Sequence, residues 1–124
     1  MARVLLHFRP NRPPVIGAYL GSDYVRALVD TGAHMSVLNP TLASLHQFPV
    51  IGDQWVYGIS PMPVHARIIE VPSVRLRGLR LGPCRAFIIP LVQLGRRIEM
   101  ILGIHAFKDL RLEIDLKGGQ LYIS

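Results

Sequence analysis

A single cysteine, Cys84, excludes intrachain disulfides and with them the small stapled scaffolds of secreted proteins. Aromatic residues are scarce, 7% of the chain with one Trp, and none falls between Arg75 and Arg85, where a single-stranded nucleic acid would need stacking platforms. Long apolar runs are missing too. The longest, such as Ala86 to Leu94, contains Pro90 and falls far short of the ~20 residues of a membrane-spanning helix. Met1 to Pro14 carries Arg3, Arg9 and Arg12 but no separate apolar block and no small-residue cleavage site, so no secretory leader is read and cytoplasmic residence is the expectation. Acids are outnumbered, 8 against 14 Lys and Arg, for a formal charge of +6 that raises non-specific affinity for polyanions without naming a partner.

What is present is a globular composition, half of it hydrophobic, in 124 residues, enough for one domain spanning 1–124 with a real core. Eleven Gly and ten Pro predict many turns and few long helices. Period-two alternation dominates. Leu112, Ile114 and Leu116 face one way while Arg111, Glu113 and Asp115 face the other, and Lys117-Gly118-Gly119-Gln120 turns the chain back into Leu121–Ile123. The same reading predicts strands over Val4–Phe8, Val15–Leu20, Tyr24–Val29, Gln54–Ile59, Val64–Val71, Val74–Leu79 and Cys84–Pro90. Two short helices are expected. One runs Asn39–Leu45, with Asn39 as N-cap and Pro40 at the first helical position; the other runs Ile104–Leu110 with apolar residues three apart. The fold class is all-β.

One acid sits in an odd place. The apolar strand Tyr24–Val29 delivers Asp30 straight into Thr31-Gly32-Ala33, and a carboxylate entering from a buried strand is costly unless it is hydrogen-bonded or neutralised. A turn aspartate capping its own backbone would be the plain explanation. The wider segment, Ala27-Leu28-Val29-Asp30-Thr31-Gly32-Ala33-His34-Met35-Ser36-Val37-Leu38, resembles the active-site segment of retropepsin-like aspartic proteases. Met100-Ile101-Leu102-Gly103 is similar to the apolar-apolar-Gly element that crosses behind the catalytic loop in that family. The likeness extends over about Pro14 to Leu121. It implies a closed β-barrel with a flap hairpin and one short C-terminal helix. His34 and His105 are departures from the residues frequent at their positions in the family.

The resemblance implies peptide hydrolysis by two carboxylates that share one proton, one activating water and the other hydrogen-bonded to the substrate carbonyl. Asp23, Asp53, Asp109 and Asp115 are followed by Tyr, Gln, Leu and Leu, so the chain carries half of such a site. A catalytic reading therefore requires Asp30 from a second copy and a two-fold axis between the loops. By resemblance, Thr31 ties the loops together, Gly32 allows close approach of water or substrate, and Ala33 forms a small wall. Trp55 to Val64 occupies the place of the flap, making Tyr57, Gly58 and Ile59 candidate contacts to an extended peptide. Interleaved termini, Met1–Phe8 with Leu121–Ser124, are one of two open arrangements of the dimer.

No cofactor is implied. The five histidines, His7, His34, His46, His65 and His105, show no metal-ligand spacing, and one Cys cannot complete the usual zinc sets. His34 is set apart as a residue that could stand at the cleft rim. A triad of Ser36, His34 and Asp30 is set aside because no nucleophile elbow surrounds Ser36. Arg75, Arg77, Arg80, Arg85, Arg96 and Arg97 make a basic surface, for which a solvated strand face is the cheaper account than a nucleic-acid site. Two other functions stay open at this point: an inactive dimeric peptide-binding or scaffolding module of the same fold, and a basic nucleic-acid-binding β domain.

Overall fold

The computed structural model describes residues 3–58, 60–94 and 97–124. Two sheets account for most of it. Strands β1 (Val4–His7), β11 (Leu112–Asp115) and β12 (Gln120–Ile123) form a three-stranded antiparallel sheet with β12 in the centre. The nine-stranded sheet is built from β2 (Val15–Leu20), β3 (Asp23–Val29), β4 (Ser36–Leu38), β5 (Val50–Val56), β6 (Val64–Val71), β7 (Val74–Leu76), β8 (Leu79–Leu81), β9 (Cys84–Ile88) and β10 (Met100–Leu102). Its order is β5-β6-β9-β4-β10-β3-β2-β7-β8.

That order has two ends, so the sheet is an open, curled half-barrel rather than the closed barrel expected from the sequence. The helix expected over Asn39–Leu45 is present, one residue later at each end. Helix α1 spans Pro40–His46, with the Asn39 side chain accepting from the Thr41 N–H at 3.1 Å and Gln47 closing the helix in a left-handed conformation. The expected C-terminal helix is a single 3₁₀ turn, Ile104–Phe107. Apolar residues three apart fit the 3₁₀ repeat better than the α repeat, and Gly103 has no side chain with which to cap a longer helix.

Two strand readings needed correction for local reasons. Val74–Leu79 is two strands, β7 and β8, because Arg77 and Gly78 both take positive φ, 46° and 87°, and turn the chain between them. Arg77 then donates from Nη1 to the Leu5 carbonyl at 3.1 Å, bracing the turn against β1. Strand β5 starts four residues earlier than the alternation indicates, since Val50 to Trp55 are all exposed and carry no buried face to read.

Two apolar clusters hold the chain. The larger joins both sheets through fully buried side chains such as Leu20, Leu38, Leu76, Met100, Leu102, Leu121 and Ile123. The smaller gathers Val37, Ala66, Phe87, Ile89, Leu91, Ile98 and Ile101. Ala33, in the loop between the central strands β3 and β4, and Val56, on the edge strand β5, both pack against this second cluster. The wall of the Asp30 loop and the root of the β5–β6 hairpin thus share one core. Strand β1 pairs with β12 of the same chain, Val4 opposite Ile123, so the described part of the N-terminal segment already has a partner at the C-terminus.

Candidate active site

The loop at Asp30 is shaped by β10. This strand lies between β3, to which it is parallel (Leu102 opposite Val29), and β4, to which it is antiparallel (Met100 opposite Leu38). The chain therefore leaves β3, makes the 30–35 loop and returns as β4 around a strand contributed from 70 residues further on. All three residues of β4 and of β10 are buried, which is why Ser36-Val37-Leu38 and Met100-Ile101-Leu102 read as continuous apolar or small runs rather than as alternation.

Three backbone hydrogen bonds tie the loop to β10 and the segment after it, and a fourth closes the loop on itself. The Asp30 N–H donates to the Leu102 carbonyl at 3.0 Å, and the Ala33 N–H to the Asp30 carbonyl at 3.1 Å. The Ile104 N–H donates to the Ala33 carbonyl at 2.8 Å, and the His105 N–H to the His34 carbonyl at 3.1 Å. A fifth bond comes from a side chain: Ser36 is fully buried, and its Oγ accepts from the Gly103 N–H at 3.2 Å. Ser36 is thus a brace and not a nucleophile. Replacing it with Ala should leave the Gly103 N–H buried without an acceptor and lower stability by about 1–3 kcal/mol, read from a urea unfolding curve. The Cys84 thiol is pushed up from its ordinary pKa by burial, with the Ser36 hydroxyl opposing the rise. A thiol held neutral inside the sheet is a small hydrophobe.

Within the loop, Oδ1 of Asp30 accepts from the Gly32 N–H at 2.9 Å. This fixes one carboxylate oxygen and leaves the other for external partners. Asp30 and Ala33 are half-buried, whereas Thr31 and Gly32 are exposed. Asp30 joins no ion pair among the described residues. The structure thus brings Asp30, Thr31, Gly32 and Ala33 into one braced turn with an open outer face.

The flap candidates stand apart from that turn. Strands β5 and β6 pair as far as Val56 opposite Val64, and of the residues between them 57–58 and 60–63 are described. There the Ser60 Oγ donates to the Met62 carbonyl at 2.8 Å. Gly58 has φ +89°, which explains the glycine at this bend. Tyr57 is 74% exposed, and Trp55 and Met62 are exposed beside it. No hydrogen bond among the described residues joins this tip to the Asp30 turn; Ile59 lies outside the described residues. The basic side chains Arg75, Arg80 and Arg85 are exposed on strands whose neighbours Val74, Leu76, Leu81 and Cys84 are buried, the pattern of a solvated face, while Arg96 lies outside the described residues. No described helix is long and apolar enough to cross a membrane.

A cavity of about 670 Å³ lies beside the turn, not over it. Its walls include His34, Met35, Cys84 and His105 but not Asp30. Sequence spacing did not single out this histidine pair, because the two residues meet only when β10 is placed behind the loop.

An Asp-Thr-Gly turn crossed from behind by a buried strand, beside a two-stranded hairpin rooted in the same core, defines a retropepsin-like fold. A retropepsin-like aspartic protease from Rickettsia conorii superposes with a TM-score of 0.68 at 17% identity, covering 98% of this chain and 90% of that one. The retroviral protease-like domain of Ddi1 from Leishmania major superposes with a TM-score of 0.58 at 21% identity, covering 85% of this chain and 82% of that one. The aspartyl protease family model matches residues 16–106, and the chain belongs to that family. The DNA damage-inducible protein 1 of Chaetomium globosum is 30% identical over 100 residues, which are 81% of this chain and 22% of that protein. The chain thus spans under a quarter of the length of this relative.

Proposed function

We propose that residues 1–124 form one aspartic endopeptidase domain that works as a homodimer, with Asp30 of each copy contributing one carboxylate to a shared site. One observation carries this: the chain presents a single Asp30, braced from behind by backbone bonds and open in front at Thr31 and Gly32, with no second Asp-Thr-Gly to complete it. Two carboxylates meeting across a two-fold axis share one proton, since like charges so close do not both ionise. The ionised member takes a proton from water as that oxygen attacks the peptide carbonyl carbon. The protonated member gives its hydrogen to the carbonyl oxygen. The tetrahedral intermediate then collapses, a proton passes to the amide nitrogen, and the C–N bond breaks.

The other residues take their roles from where they stand. Thr31, exposed at the face the partner would cover, ties the two turns together. Gly32 leaves backbone open to water and substrate, and Ala33 bounds the acid with a small wall. Tyr57 and Gly58 sit on a hairpin whose exposed Trp55, Tyr57 and Met62 suit an extended peptide laid between flap and turn by strand pairing. No metal or organic group enters these steps. The test is dilution. Cleavage of an unbiased peptide pool, read by mass spectrometry, should show a specific activity that rises with protein concentration in step with the dimer measured by sedimentation. Cleavage whose specific activity is unaffected by dilution into the monomer range, or a dimer that cuts nothing, would overturn the reading.

A further inference from the structure

His34 and His105 are 71 residues apart in the chain, yet their Nε2 atoms lie 2.9 Å from one another. The rings meet edge-on, with centroids 4.2 Å apart and planes at 73°. Both side chains are exposed, and among the described residues neither has a carboxylate partner. That separates them from His46, which pairs with Asp23 at 2.8 Å, and from His65, which pairs with Asp53 at 3.3 Å. Their backbones are also locked, since the His105 N–H donates to the His34 carbonyl and the adjoining Ile104 N–H to the Ala33 carbonyl.

Two imidazole lone pairs aimed at one point repel unless something positive stands between them. The Nε2 proton of one ring can fill that place, and so can a metal cation. We propose that His34 and His105 chelate a late first-row divalent cation through both Nε2 atoms, copper(II) being the best fit and nickel(II) next. Metal–nitrogen bonds of ~2.0–2.1 Å place two nitrogens ~2.9 Å apart when they subtend a right angle and ~3.4 Å apart in a tetrahedron. The observed 2.9 Å, an ordinary ring-to-ring hydrogen-bond length, also equals the bite of a right angle, the cis geometry of tetragonal copper and nickel sites. Binding needs no net loss of a proton, because the ring that held hydrogen at Nε2 carries it at Nδ1 instead. The remaining coordination positions go to water. Glu70 and Asp109 line the same cavity, but among the described residues no third His, Cys, Asp or Glu stands close enough to the pair to share an ion.

Such a cation would pin the segment four residues beyond Asp30 to the 3₁₀ turn, adding a side-chain tie to those the backbone already forms. The inference stands whether or not the chain cuts peptides, and its test reads binding alone. Calorimetric titration of the full chain with copper(II) chloride, paired with the visible absorption of the bound ion, should give one tight ion per chain, with nickel(II) weaker and zinc(II) weaker again. His34→Ala and His105→Ala should each reduce copper affinity at least 10-fold, and His65→Ala should leave it within two-fold. His34→Gln and His105→Gln, which preserve side-chain bulk, should behave like the alanine variants and melt like the wild type without metal. No tight ion on the wild type, or equal affinity in the His34 and His105 variants, would overturn the assignment.

Discussion

Asp30→Asn is expected to lower peptide hydrolysis by ~10³-fold or more while leaving fold and association intact. The fold survives because the bond that shapes the turn survives: an amide oxygen accepts from the Gly32 N–H as the carboxylate Oδ1 does at 2.9 Å. The Asp30 backbone keeps its own tie to Leu102 as well. What is lost is a group that can accept a proton from water and return one to the leaving nitrogen. The variant also separates half-site chemistry from a self-sufficient chain. In an equilibrated equal mixture with wild type, half of the wild-type chains pair with an inactive partner, so activity drops about two-fold below that of the same wild-type amount undiluted by the variant. A chain acting alone would show no drop. Full activity in Asp30→Asn would end the aspartic mechanism, and unchanged activity on mixing would end the shared site.

Much of this architecture is written in local chemistry. The Val74-Arg75-Leu76 alternation appears as buried, exposed, buried; Asn39-Pro40 caps and starts α1; and the apolar strand before Asp30 enters the turn as a buried strand must. The candidate site is legible for the same reason, because Asp30, Thr31, Gly32 and Ala33 are consecutive and one turn holds them all. What escapes the sequence is contact between distant segments and structure without a buried face. The exposed strand start at Val50 has no periodicity to betray it, and an arginine in left-handed conformation at position 77 is not a turn signal. Sheet closure depends on which edges meet, and here they do not. His34 and His105 are joined only by the crossing of β10, so no spacing rule finds them. The brace from Ser36 to Gly103 is equally long-range, and a lone serine in an apolar strand is the only hint of it.

Gly103 shows how tightly that crossing is built, and it gives the second large effect. A Cβ at this position would stand 2.6 Å from the Met35 carbonyl oxygen, 2.7 Å from its carbon and 2.8 Å from the Ala33 carbonyl oxygen. The backbone conformation itself, φ −82°, suits any residue, so the demand for glycine is one of space alone. Every obstructing atom is main chain, and no rotamer change relieves the clash. The loop or the strand has to move, and both are held by the bonds from Asp30 to Leu102, Ile104 to Ala33 and Gly103 to Ser36. Gly103→Ala should therefore destabilise the protein by about 3 kcal/mol or more, as overpacking against fixed backbone and disruption of a buried hydrogen-bond set act together. Gly52→Ala supplies the comparison, since its Cβ would meet only the Ile68 side chain at 3.9 Å, and its effect should stay under about 0.5 kcal/mol. Urea unfolding of the two variants measures the difference. Because the strained atoms belong to the segment that positions Asp30, any folded fraction of Gly103→Ala should also cut peptides poorly. A Gly103→Ala protein as stable as Gly52→Ala would mean that β10 and the Asp30 turn slide freely past one another, and that the acid is not held from behind.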